Sequence, residues 1–206
     1  MQNCIFTAHC TECICDQSCP MYVETSYLLE RSGISMESSV FRSSASDVTL
    51  ANDVLKTFDG KFGVLKVDDT VKYAELLTYC AICHNWQGSR LHCTVYNLKY
   101  SKYLDDEKKS WNYSNSSVTD DLEYIKIWAN SAKVLIISNF DYVSFGDFES
   151  QKILNLVQAR CQHNLTTIMV CPKSDIVTKT AASNTFPSIL KQKMNSVTFN
   201  RGGVNK

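Results

Sequence analysis

The apolar positions of this chain come in two rhythms. Two runs, VLIIS at 134–138 and TTIMVC at 166–171, are apolar almost without a break. Such runs read as central strands buried on both faces. Residues 61–67 (KFGVLKV), 91–96 and 196–200 predict three more strands. Between them apolar residues recur at helical spacing. Tyr22, Val23, Tyr27, Leu28 and Leu29 predict a helix over 21–34, and a short one follows at 49–58. Val71, Leu76, Leu77, Cys80 and Ile82 predict a helix over 70–86. Ile153, Leu154, Leu156 and Val157 predict another over 147–163. Shorter helices are expected at 98–104, 120–129 and 187–194, the last with Pro187 in its first turn.

Strands separated by helices imply an α/β fold, with a mainly parallel five-stranded sheet covered by helices on both faces. Three regions follow. Residues 1–34 form a Cys-rich segment with a short helix, 35–50 a Ser-rich linker (SMESSVFRSSASD), and 51–206 the α/β domain. The polar stretch 105–119, DDEKKSWNYSNSSVT, reads as a surface loop, and its Trp111 and Tyr113 are candidates for stacking on a base or anchoring a partner.

Composition narrows the function. Lys plus Arg equal Asp plus Glu at 21 each, so no global field calls for nucleic acid or membrane. Hydrophobic residues make up 44%, enough for a substantial core. No apolar run reaches the length of a membrane span. No secretory signal is visible, and a cytoplasmic location, in a bacterial host cell, is expected. Neutrality hides an asymmetry: residues 1–50 carry net −4, whereas 172–206 carry six basic residues and only Asp175. Lys173, Lys179, Lys191, Lys193 and Arg201 are therefore the candidates for phosphate or partner contact.

Five of the ten cysteines, Cys4, Cys10, Cys13, Cys15 and Cys19, fall at the start of the chain around His9. Clustered thiols in a reducing compartment point to metal rather than disulfides. A tetrahedral Zn site takes four thiolates; the spacing does not choose four of the five. The Cys10, Cys13 and Cys19-Pro20 spacing echoes an iron–sulfur run with an altered gap, the alternative cofactor. The string Cys80-Ala-Ile-Cys83-His84 spells a haem attachment motif, but it lies in an apolar helical stretch and reads as buried free thiols. Cys93, Cys161 and Cys171 read as core residues.

The stretch VLIISNFDYVSFGDFESQKILNLVQARCQHNLTTIMV, with the ending SILKQKMNSVTFNRGG, resembles the DnaC/DnaI-type AAA+ helicase loaders, including their phage-encoded branch. The likeness spans most of 50–203, and an N-terminal Cys cluster also fits that layout. It implies a P-loop NTPase-like fold with a phosphate loop near residue 70, an acidic pair after the 134–138 strand and a polar sensor after the 166–171 strand.

The departures fall on those positions. A P-loop needs glycines to wrap phosphate, a Lys for the β/γ-phosphates and a hydroxyl for Mg²⁺. In one register Gly60, Gly63 and Lys66 match, but Leu65 and Val67 replace the second glycine and the hydroxyl residue. The preferred register puts Lys72 at the lysine and Tyr73 at the Ser/Thr position, after Asp68 and Asp69, with no glycine. Ser138 and Asn139 stand for the acids, Pro172 for the sensor, and Lys191 and Lys193 for the arginines of the last helix. The expected function is thus a pseudo-ATPase: a loader-like adaptor that does not bind ATP. It would act in a replication-type nucleoprotein complex with a replicative helicase or AAA+ subunit, possible DNA or RNA contact, and no membrane. Two alternatives stand beside it. One is a divergent active loader using Lys72 or Lys66; the other is an iron–sulfur or redox protein built on the cysteines.

Overall fold

A computed structural model describes residues 18–35, 37–86, 94–112, 116–139, 147–172, 195–200 and 203–205. The strands are β1 (Phe62–Val67), β2 (Val95–Lys99), β3 (Val134–Ser138), β4 (Thr166–Pro172), β5 (Asn195–Asn200) and β6 (Gly203–Asn205). The helices are α1 (Pro20–Arg31), α2 (Ala45–Thr57), α3 (Thr70–Asn85), α4 (Tyr100–Asn112), α5 (Ser116–Ser131) and α6 (Asp147–Gln162). The sheet order is β2-β3-β4-β1-β5-β6. β1 to β5 pair in parallel and β6 pairs antiparallel with β5. Among the described residues the sheet thus has six strands rather than the expected five. β6 escaped notice because three residues carry no periodic signal.

Two cores follow from strand parity. Leu65, Val67, Val95, Val134, Ile136, Ile168 and Val170 face one side, packed with α1, α2 and α3. Phe62, Val64, Leu98, Leu135, Ile137, Met169 and Cys171 face the other, packed with α4, α5 and α6. Crossover handedness accounts for this split. The β1–β2 connection runs one way across the sheet, while β2–β3 and β3–β4 run back, so right-handed crossovers place their helices on opposite faces.

Several expected boundaries shift. Part of the Ser-rich stretch expected as linker folds onto the core: Ser39–Arg42 forms a 3₁₀ turn, Val40 is buried, and Phe41 meets Tyr79 edge-on at 5.5 Å. α2 starts at Ala45 on a capping box, Ser44 and Asp47 bonding each other's backbone amides. The expected loop at 105–119 is largely helix, since α4 runs on to Asn112 and α5 starts at Ser116. Asp105, Lys108 and Lys109 lie on the outer face. The inner face holds Tyr100, Leu104 and the buried Glu107, which pairs with Lys152 of α6. A charged residue at an inward position hid the helical period. The strand expected at 91–96 lies at Val95–Lys99.

Two devices position the frame. α1 ends in a Schellman motif: Gly33, at φ 82°, donates to the Glu30 carbonyl and Ile34 to that of Leu29. The following chain covers the β2 edge, where the Asn97 amide donates to the Ser32 carbonyl at 3.0 Å. On the other face, buried Arg160 of α6 donates to Thr167 Oγ1, the Thr166 carbonyl and the Ala129 and Asn130 carbonyls ending α5. Burial pushes its pKa down to about 10, still charged at neutral pH.

Candidate functional site

Ligands of open α/β sheets bind beyond the carboxyl ends of the strands, where neighbouring connections diverge. Here β1 exits to α3 on one face and β3 to α6 on the other, with β4 between them. The edge therefore comprises the β1–α3 turn, the end of β3 and Pro172.

The turn is short. The chain passes from Val67 to the first residue of α3, Thr70, through Asp68 and Asp69 alone. There is no length for a loop that wraps phosphate. Asp69 instead caps the helix, its Oδ1 accepting from the Lys72 amide at 2.9 Å. A carboxylate of the chain thus sits at the helix end that attracts anions.

Lys72 and Tyr73 both turn to Asp47 on α2. Lys72 Nζ lies 2.9 Å from Asp47 Oδ2, and the Tyr73 hydroxyl donates to Oδ1 at 2.9 Å. The Lys72 contact, with help from Tyr73 and Ser44, holds the Asp47 carboxyl down to about 2. The side chains at the expected lysine and hydroxyl positions are thus brought together on an anion from within the protein. Asp47 was not among the expected site residues. Its only sequence signal was the S-x-x-D capping pattern at Ser44–Asp47, inside the stretch expected as linker.

The glycine register has a structural use. Lys66 lies within β1. A Cβ at Gly63 would collide with the Phe58 ring, and Gly60, at φ 64°, donates its amide to Thr166 Oγ1 at 2.8 Å. These glycines serve packing and a turn.

At the end of β3, buried Ser138 donates to Asn97 Oδ1 at 2.9 Å. Its hydroxyl is committed to the neighbouring strand. Asn139 follows at φ 61°, a conformation Asn tolerates better than most residues. Pro172 closes β4 opposite Val67 in register, and without an N–H it extends no ladder. Ser138 and Asn139 are separated from β1 by the width of β4. None of these groups supplies a carboxylate for a metal.

Two clefts lie elsewhere. One, about 310 Å³, is lined at the other end of the sheet by Lys56, Asp59, His84, Lys133, Val134 and Thr166. The other, about 450 Å³, lies among α4, α5 and α6 around Tyr100, Tyr103, Glu107 and Lys152. Burial raises the Tyr103 hydroxyl to about 12. His84 Nε2 meets Asn52 Oδ1 at 3.0 Å, and His163 sits exposed in the turn after α6. Trp111 lies in the last turn of α4, largely exposed, edge-on to Phe148 at 5.2 Å.

Cys19 immediately precedes α1, its carbonyl accepting from the Val23 amide, and its thiol is half-buried. Cys4, Cys10, Cys13 and Cys15 lie outside the described residues. So do Tyr113, Cys93, Lys173, Lys179, Lys191 and Lys193, the helix expected at 187–194, and Arg201. Among the described residues no cluster of three or more His, Cys, Asp or Glu could hold a metal ion. Cys80 is buried as expected and its thiol is pushed up to about 12, whereas Cys83 is exposed, not buried. No described helix is long and apolar enough to cross a membrane.

No family model matches the chain, and no curated protein or solved structure does.

Proposed function

We propose that this chain is a non-catalytic, helicase-loader-like adaptor: a P-loop NTPase-like domain of AAA+ type that has lost its nucleotide site. One observation carries the reading. Asp47 occupies Lys72 and Tyr73 together, the pair to which the family resemblance assigns phosphate and Mg²⁺. A phosphate arriving there must displace a paired carboxylate and approach Asp68 and Asp69 as well. The two-residue turn and the Ser138–Asn97 bond support the same reading. Among the described residues the end of β3 offers Ser138 and Asn139 in place of an acidic pair to activate water.

Such a protein acts through its surfaces in a replication-type nucleoprotein complex. A replicative helicase or AAA+ subunit is the partner proposed, with DNA or RNA contact through Lys173, Lys179, Lys191, Lys193 and Arg201. The N-terminal cysteines would hold Zn as a structural knuckle, and the location proposed is the cytoplasm of a bacterial host.

Calorimetry of Mg²⁺-ATP and ADP against the purified chain, beside Lys72→Ala, tests this. The expected result is no saturable heat in either protein. Binding in the wild type that Lys72→Ala abolishes would overturn the adaptor reading in favour of an active loader.

A further inference from the structure

The solvent side of a surface helix is ordinarily polar. α5 departs from this rule. Tyr124 and Ile127 lie on its outer face, 48% and 61% exposed, flanked by exposed Asp120, Asp121 and Glu123. α1 departs similarly, with Val23 49% and Tyr27 43% exposed, one helical turn apart. The two faces are joined. The Arg31 guanidinium lies 5.5 Å from the Tyr27 ring centre and 4.8 Å from that of Trp128, which lies 5.9 Å from Tyr124. Val23, Tyr27, Arg31, Trp128, Tyr124 and Ile127 thus form one apolar and aromatic band beside the covered β2 edge. Contiguous exposed apolar surface of this kind marks interaction sites.

Its charge defines the partner. Glu30, Asp120, Asp121 and Glu123 rim the band. Of the nearby cations, Arg31 stacks on the two rings and Lys126 pairs with Glu123 at 2.9 Å. The rim is therefore acidic. We propose that the α1–α5 band is a docking face for an amphipathic helix of a protein partner whose apolar stripe is flanked by Lys and Arg. The apolar anchors seat against Tyr27, Tyr124 and Ile127, and the partner's cations meet the acidic rim. The inference rests on the adaptor reading for its biological role, while its physical test is separate.

The probe is a short Leu/Lys peptide of helical periodicity, compared with a Leu/Glu peptide of the same pattern and a scrambled Leu/Lys peptide. Binding to the full chain is followed by amide shift perturbation. The Leu/Lys helix is expected to bind, with shifts centred on 23–31 and 120–128. Ile127→Asp weakens it about tenfold, the loss of one anchor. Tyr124→Ser, a milder surface change, gives a smaller loss at the same place. Equal binding of the Leu/Glu or scrambled peptide, shifts centred elsewhere, or no binding overturns the proposal. So does a dimer of the chain that Ile127→Asp dissolves, because the occupant would then be a second copy. Nucleotide binding, by contrast, would remove the adaptor reading and leave the peptide result standing.

Discussion

Replacing Asp47 with Asn removes one charge, keeps the side-chain shape and leaves an oxygen for Tyr73. The native carboxyl is held at about 2 against an ordinary 3.8. Taken whole, that displacement corresponds to about 2.5 kcal/mol. Lys72 is about a third exposed and Asp47 about a fifth, so water screens the pair and about 1 kcal/mol is expected to survive. Folded Asp47 releases its proton more readily than unfolded Asp47. The contribution is therefore complete above 3.8 and fades as pH falls through about 2. In urea unfolding near pH 7, Asp47→Asn should lower the midpoint by about 0.3–1 M. The gap should begin closing below about pH 4, be mostly lost at about pH 2 and vanish below it. Lys72→Met should cost a similar amount alone and little more on top of Asp47→Asn, because both remove one interaction. A gap that persists undiminished at pH 2, or two losses that simply add, would refute the pairing.

Three further outcomes test the frame around the site. Arg160→Met strands buried acceptors on β4 and at the end of α5. It should cost about 3 kcal/mol or more in thermal unfolding. Lys at 160 should not rescue it, since an ammonium cannot span the fork; a near-native Arg160→Lys would contradict this account. Gly63→Ala drives a methyl against the Phe58 ring and should destabilise by about 1–3 kcal/mol, with Phe58→Leu recovering part of the loss. No recovery would mean the ring is not the obstacle. Alkylation followed by mass spectrometry should modify Cys83 in the native chain and reach Cys80, buried and raised to about 12, only in denaturant. Equal rates would exclude the burial described.

The parts of the fold that were legible are those where one segment settles its own structure. VLIIS and TTIMVC are strands at nearly their expected limits because both faces are buried and no alternation is required. Thr70–Asn85 and Asp147–Gln162 were legible because Leu76, Leu77 and Cys80, and Ile153, Leu154 and Val157, recur at helical spacing despite the inward Thr78 and Arg160. α4 was not: its inward Glu107 is neutralised by Lys152, forty-five residues away, and local periodicity cannot register such a partner. The strand order depends on pairings distant in sequence, such as Val64 beside both Met169 and Ser196. The site divides in the same way. Lys72 and Tyr73 lie in the first turn of α3, just beyond the Asp68–Asp69 turn. Asp47, twenty-five residues earlier than Lys72, entered only through the fold of a stretch whose serines suggested a linker.

The groups that hold this fold are largely separate from those that would run a nucleotide cycle. The sheet rests on strand parity and on Arg160, which ties α5 and α6 to the start of β4. A nucleotide site asks the opposite of its residues: open helix amides, a lysine without a carboxylate and an acidic pair awaiting metal. Such groups wait unsatisfied until ligand arrives, and the apo protein bears the cost. Here Asp69 caps the helix, Asp47 neutralises Lys72, and Ser138 bonds Asn97. Each of these groups is satisfied within the chain, without disturbing the core. Building a nucleotide site here by single substitution is correspondingly unfavourable. A carboxylate placed at buried position 138 would face the Asn97 oxygen, and a freed Lys72 would still lack a loop to present phosphate. On the adaptor reading proposed above, these local contacts leave the helical surfaces untouched, so the frame that carries the α1–α5 band does not depend on a nucleotide site.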